Sequence, residues 1–168
     1  VKKGCIHFYI GNGKGKTTAA VGLALRAASH HLKVAYLEFH KNRSKWGPGE
    51  TELLEKNGIT VCRFACKSPI FDPGVNPEEL RQECLKGLNH IQIFFKDGRY
   101  NLILLDEILH SVSLNLIHEE ELLDLLKNKP VDMEIVLTGR EASPALMEMA
   151  DLITEMKEIK HYFSKGVP

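Results

Sequence analysis

The residues with the clearest chemistry form one run, Gly11-Asn12-Gly13-Lys14-Gly15-Lys16-Thr17-Thr18. It follows an apolar stretch, Cys5 to Ile10, and precedes an Ala-rich stretch from Ala19 to Ala28. Strand, Gly-rich turn, Lys-Thr and helix is the order a phosphate-binding loop requires. Glycines let the backbone turn tightly and aim N–H groups at an anion. The helix that starts near Gly15 adds the positive end of its dipole. In this reading Lys16 reaches phosphate oxygens and the Thr17 hydroxyl ligates Mg²⁺. One detail departs from the usual spacing: Ile10 stands where a Gly is expected, and Gly11 is one residue too close. The plainer reading, a Gly-rich turn with no ligand, fits Gly15-Lys16-Thr17-Thr18 poorly in this context. Lys14 is open between a phosphate contact and a solvated loop lysine.

A second constellation is Leu102-Ile103-Leu104-Leu105-Asp106-Glu107, an apolar strand ending in acids. A carboxylate there can hold the metal ion that neutralises phosphate charge, and Asp106 is the better candidate. Glu107 is open between a base, a metal ligand and a hydrogen-bond acceptor. Asp106 could instead cap the next helix. Thr138-Gly139-Arg140 ends another strand, where Arg140 either meets phosphate charge or pairs with a surface acid. Lys41 and Glu50 flank a long loop after the second strand, and such loops often touch substrate. Trp46, in that loop, either packs or covers a flat ligand.

The elements that must position these residues alternate. Strands are expected over Cys5 to Ile10, Lys33 to Phe39, Thr60 to Phe64, Leu102 to Leu105, Glu134 to Leu137 and Leu152 to Thr154. The first helix is expected over Gly15 to His30, with Val21, Leu25 and Ala28 on one face. A polar loop is expected to about Gly49. Asn76-Pro77-Glu78-Glu79 is a helix start: capping Asn, Pro first, then acids near the dipole. That helix carries Leu80, Cys84, Leu88, Ile91 and Phe95, and it ends near Asp97-Gly98. Further helices are expected over Glu119 to Asn128 and from Ser143-Pro144. The pattern predicts a P-loop NTPase-like (RecA-like) three-layer α/β/α fold with a mostly parallel central sheet. All 168 residues are expected to form a single P-loop nucleotide-binding domain. Ligands of such sheets bind at the carboxyl ends of strands, where every candidate lies.

Bulk composition narrows the function classes. Lys+Arg and Asp+Glu are both 22, so no whole-chain field favours nucleic acid. No apolar run approaches the ~20 residues of a membrane span. The start, Val1-Lys2-Lys3-Gly4, leads into a strand and shows no secretory leader. Cys5, Cys62, Cys66 and Cys84 match neither a paired zinc spacing nor a disulfide frame, as expected of a reduced, cytoplasmic protein. The eight histidines show no metal-ligand spacing, and no Ser–His or Cys–His pair stands out.

Taken together, these motifs resemble the ATP:corrinoid adenosyltransferases of the P-loop class. The resemblance rests on Gly11 to Ala20 with Gly22 and Arg26, on Phe39, Lys41 and Gly49-Glu50, and on Leu105-Asp106-Glu107 and Thr138-Gly139-Arg140. It continues through Ala150-Asp151, Thr154-Glu155-Met156, Lys160-His161 and Gly166, nearly the whole chain in order. It implies transfer of the 5′-deoxyadenosyl group of ATP to a corrinoid reduced to Co(I), with the whole triphosphate as leaving group. Catalytic roles then fall to Lys16, Thr17, Asp106 and Glu107, with Thr17 and Asp106 holding Mg²⁺ (or Mn²⁺). Residues 11–18 and Arg140 would bind the nucleotide, and Lys41, Glu50, Trp46 and Phe71 the corrinoid. A homodimer and a reduced flavoprotein electron donor are implied as well.

This chain departs from the family in places. The usual Gln-Phe-Ile-Lys reads Glu38-Phe39-His40-Lys41. The usual Phe-x-Trp after the third strand is absent; the stretch reads Ser68-Pro69-Ile70-Phe71, leaving Phe71, or Phe64, for that place. Two other readings compete: a small P-loop kinase or NTPase acting at the γ-phosphate, and a nucleotide-switched binding module.

Overall fold

The structure, a computed structural model, describes residues 3–47, 49–69, 72 and 74–166, without the side chains of Arg43, Trp46, Phe163 and Ser164. β1 (Ile6–Ile10) runs into the Gly-rich loop and α1 (Lys16–Ser29). β2 (Val34–Phe39) is followed by α2 (Arg43–Trp46), α3 (Thr51–Lys56) and β3 (Thr60–Phe64). Then come α4 (Pro77–Asp97), β4 (Leu102–Asp106), α5 (Ile108–Ser113) and α6 (Glu119–Lys127). β5 (Glu134–Thr138), α7 (Pro144–Glu148), β6 (Leu152–Glu155) and a 3₁₀ turn (Tyr162–Lys165) complete the order.

The six strands form one sheet in the order β3-β2-β4-β5-β1-β6, and every neighbouring pair is parallel. Strand-to-strand travel reverses after β3, so α1 and α3 cover one face while α4, α5 and α6 cover the other. The inner strands read as near-continuous apolar runs because both faces are covered: all of β2 and β4 is buried. β5 lies between β1, which carries the loop, and β4, which carries Asp106.

The helix starts follow the expected chemistry. The Asn76 side chain accepts from the Glu78 N–H at 2.9 Å ahead of Pro77, and Gly98 ends α4 in a left-handed conformation. Ser143 caps α7, its hydroxyl accepting from the Leu146 N–H.

The face of α1 is a correction. Ala20, Ala24 and Ala27 are its buried residues, while Val21, Leu25 and Ala28 are only partly buried. The alanine row lets the helix lie close to the sheet, and the larger side chains fill its flank. The loop after β2 holds a short helix, α2, where an irregular stretch to about Gly49 is expected, and a second helix, α3, follows it.

Candidate active site

The loop is shaped before any ligand arrives. Gly11 and Gly15 have φ of 110° and 122°, values open to glycine. The Gly11 N–H donates to the Arg140 carbonyl at 2.8 Å, and the Gly13 N–H to Met156 at 2.7 Å. The Asn12 side chain accepts from the Glu158 N–H at 3.0 Å. The segment after β6 therefore backs the loop, and there is no room for a side chain between them. A Cβ on Gly11 would lie 2.4 Å from the Met156 carbonyl oxygen, and one on Gly13 2.7 Å from it. Gly13→Ala is accordingly expected to cost about 1–3 kcal/mol of stability. Urea denaturation of the variant beside the parent checks this; an unchanged midpoint would mean that the tail does not press on the loop.

With those two amides engaged, an incoming anion is left the N–H groups that open α1. The first turn of α1 contains no acidic residue and no side-chain cap, so it presents an uncompensated positive end. Lys16 folds back and donates to the Gly11 and Gly13 carbonyls at 2.7 and 2.8 Å. Burial lowers its pKa, and Arg140 adds to the effect against the opposing charges of Glu107 and Asp106. Lys14 lies under Tyr162, its ammonium 4.8 Å from the ring centre and hydrogen-bonded to the hydroxyl. Thr18 and Asn12 are exposed at the rim.

Asp106 is the hub. It is fully buried, and four side chains surround it. The Thr17 hydroxyl donates to it at 3.1–3.2 Å and Thr138 at 2.7 Å. The Lys41 ammonium stands 2.5 Å away and also reaches Glu50 at 3.3 Å. Burial alone would lower the Lys41 pKa, but Asp106 and Glu50 outweigh it and the net shift is upward. The Tyr36 hydroxyl is buried beside Asp106 and interacts with its carboxylate. Burial first, and then the nearby charge of Asp106, push its pKa up. Thr138 sits on β5, so it spans the gap between loop strand and acid strand. Its hydroxyl also accepts from the Glu107 N–H at 2.8 Å. That contact holds Glu107 at φ 64°, a left-handed conformation unusual for a glutamate. Burial and then the Asp106 charge raise the Glu107 pKa, against Lys41, Lys16 and Arg140.

The structure thus brings Lys16, Thr17, Lys41, Glu50, Asp106, Glu107 and Arg140 to one end of the sheet. Arg140 is exposed there, and its charge is felt by Lys16, Glu107 and His110. Asp106 does not cap α5: Glu107 occupies that position, without a side-chain hydrogen bond to the helix. Phe71 and the side chain of Trp46 lie outside the described residues.

A Ser–His pair that the sequence does not reveal is present behind the site. His40 Nε2 lies 2.7 Å from Ser111 Oγ, with Cys84 Sγ 3.8 Å beyond. Ser111 and Cys84 are fully buried and His40 nearly so, which leaves this pair no access to substrate. The two partners are 71 residues apart, and only the packing of α5 against the end of β2 unites them. A cavity of about 530 Å³ lies elsewhere, beside Lys3, Arg26, His30 and Glu134, away from the loop.

Residues 2–168 match the family model described as ATP:corrinoid adenosyltransferase BtuR/CobO/CobP. The chain belongs to the ATP:corrinoid adenosyltransferase family. Among its relatives, the corrinoid adenosyltransferase of Escherichia coli strain K12 is 34% identical over 167 residues, spanning 99% of this chain and 83% of that protein. A corrinoid adenosyltransferase from a Sinorhizobium species is 36% identical over 169 residues, 99% of this chain and 78% of the other. A KaiC-like protein from Pyrococcus horikoshii superposes with a TM-score of 0.62 at 18% identity, covering 94% of this chain and 75% of that one. That likeness shows the fold: a RecA-like P-loop architecture. As a member of the adenosyltransferase family the chain is an enzyme of the transferase class. Among the described residues no helix is long and apolar enough to cross a membrane.

Proposed function

We propose that this adenosyltransferase moves the 5′-deoxyadenosyl group of ATP onto a Co(I) corrinoid and releases triphosphate. The observation that carries the reading is the convergence of Thr17, Thr138 and Lys41 on the buried Asp106 carboxylate, beside a glycine loop that is backed by main chain and holds the Lys16 ammonium. That arrangement stabilises charge on a polyphosphate, and among the described residues it sets no Ser–His or Cys–His pair open to substrate. None is required, because Co(I) is itself the nucleophile. The Co–C5′ bond forms as C5′–O5′ breaks, and the electron pair of the broken bond leaves with the triphosphate. The enzyme's own task is to hold C5′ in line with cobalt and to receive the leaving charge.

In this reading the α1 amides and Lys16 bind the phosphate chain, with Arg140 adding positive charge at its edge. Lys14 and Tyr162 close one side of the loop. Thr17 and Asp106 would hold Mg²⁺ or Mn²⁺. The pair fits a hard cation because the Thr17 hydroxyl and the Asp106 carboxylate are both oxygen ligands; the ion would take the place beside Asp106 that the Lys41 ammonium holds here. Among the described residues no group of three His, Cys, Asp or Glu side chains could hold a metal by itself, so the ion would come with the nucleotide. When bound, it would neutralise developing phosphate charge. Glu107, whose carboxyl pKa burial pushes up, serves as a hydrogen-bond partner near the phosphates. Lys41 and Glu50 would contact the corrinoid, and the same role is proposed for Trp46 and Phe71, whose side chains lie outside the described residues. We further propose one nucleotide-binding domain, a homodimer, a reduced flavoprotein as electron donor and a cytoplasmic setting.

The test is to incubate the enzyme with MgATP and cob(I)alamin, follow cobalt–carbon bond formation spectrally and assay the released phosphates. Triphosphate in step with the spectral change is the expected result. Release of orthophosphate from ATP alone, with no spectral change across several corrinoids, would overturn the reading in favour of a kinase or NTPase.

A further inference from the structure

His40 ends β2 in the left-handed conformation, φ 58°. A histidine rarely adopts this backbone without compensation. Here three contacts hold it. Its N–H donates to the Ala65 carbonyl at 3.0 Å. Its Nδ1 lies 3.2 Å from the Lys67 carbonyl, and its Nε2 2.7 Å from Ser111 Oγ. The chemistry of the partners assigns the proton. A carbonyl only accepts, so Nδ1–H donates to Lys67; neutral Nε2 then accepts from the Ser111 hydroxyl. That hydroxyl in turn accepts from the Cys84 thiol at 3.8 Å. Every member of the chain Cys84–Ser111–His40–Lys67 is satisfied in one direction only, which makes the tie specific.

The tie joins three elements at the site end of the sheet. β2 continues from His40 directly into Lys41, which stands on Asp106. Ser111 lies in α5, the helix entered from Glu107. Ala65, Cys66 and Lys67 form one wall of a cleft of about 490 Å³ that also touches Asn76 and Leu80 of the α4 start. A second tie holds the outer end of the same wall. Asp72 accepts from the Ser68 N–H at 2.9 Å and from Asn42 at 2.9 Å, and pairs with Lys45. That outer tie is part-buried, with Lys45 reaching into solvent, whereas the His40–Ser111 contact is buried.

We infer that His40 is a positioning residue that fixes the 65–68 wall of this cleft against β2 and thereby sets how the corrinoid seats, while leaving the nucleotide side alone. The inference rests on the adenosyltransferase reading, and two amide variants separate its elements. In His40→Asn the side-chain amide lies where Nδ1 was and can still donate to the Lys67 carbonyl, but it cannot reach Ser111. In His40→Gln the amide reaches the Ser111 position and loses Lys67. The expected result is a KM for cob(I)alamin raised about tenfold in H40Q and no more than threefold in H40N. KM for ATP and kcat at saturation should stay within twofold in both. Hydrogen exchange of the 65–68 amides, measured with ATP and no corrinoid, should quicken in H40Q only, while exchange over 11–18 is unchanged. Equal behaviour of the two variants, or a KM for ATP that moves with that for cob(I)alamin, would overturn the inference. The exchange measurement reads the tie without turnover, so a failed assay of function and a failed role for His40 are distinguishable.

Discussion

Lys16→Ala is expected to lower kcat/KM by about 10³ while the fold survives. The Lys16 ammonium is half-buried and shares two loop carbonyls, of Gly11 and Gly13, at 2.7 and 2.8 Å. Burial disfavours its charge, so its pKa falls below the ordinary value. A triphosphate offers stronger acceptors than these carbonyls, and the gain grows as negative charge collects on the leaving group. Removing one such donor from a preorganised site typically costs 10²–10³ in rate, about 3–4 kcal/mol. The stability of the sheet does not depend on this side chain: α1 packs through Ala20, Ala24 and Ala27. Steady-state kinetics beside a thermal melt separates the two effects. Full activity in the variant would remove Lys16 from the reaction, and a collapsed melting transition would assign it a structural role instead.

The second large effect is acid lability. Burial drives the His40 pKa from 6.5 down to about 4, the Lys67 carbonyl opposing this and His110 adding to it. The unfolded chain therefore takes up this proton before the folded chain does. Above pH 6.5 His40 is neutral in both states and contributes nothing. Between 6.5 and 4 stability falls by up to about 1.4 kcal/mol per pH unit, and the full loss is roughly 3 kcal/mol. The groups facing His40 sharpen this. Its ring meets His110 edge-on at 5.6 Å, Lys41 follows it in the chain, and Ser111 and Cys84 provide no anion. His110 is also held low, by burial and then Arg140, so it acts in the same direction. The carboxylates with lowered pKa act elsewhere: Asp72, at about 2, loses its contribution only as pH falls below the ordinary carboxylate range. Urea titrations at pH 7.5 and 5.0 should show the parent losing about 2 kcal/mol and H40N at most half of that. Equal losses in the two proteins would mean that a charged His40 is tolerated in the fold.

How much of this was readable beforehand follows from what each feature depends on. β3 matches its expected span, and the α4 start at Asn76-Pro77 and its end at Gly98 were legible because caps and glycines act locally. That Lys16, Thr17 and Asp106 meet at one end of the sheet was legible because strand ends and a Gly-rich turn place those positions there. The buried row of α1 was not, because Ala20 and Val21 are both apolar and only the closeness of the sheet chooses between them. α3 and α5, six residues each, are too short for a periodic pattern to rise above the surrounding loop. The Lys41–Asp106 contact, the Thr138 bridge and the His40–Ser111 pair join residues 65, 32 and 71 positions apart. Such contacts exist only once the strand order is set. The order β4-β5-β1 carries Thr138 between the loop and the acid, and no local pattern encodes that order.

The Met156 carbonyl pressed against Gly11 and Gly13 has a thermodynamic consequence. The loop acquires its shape when β6 docks, so the entropy of ordering it is spent during folding rather than on meeting ATP. By linkage, whatever loosens residues 152–158 weakens nucleotide affinity, and bound nucleotide holds the tail in place by the same amount. The last strand, exposed along its length at the edge of the sheet, thereby acts as a remote regulator of how tightly the first turn grips its ligand.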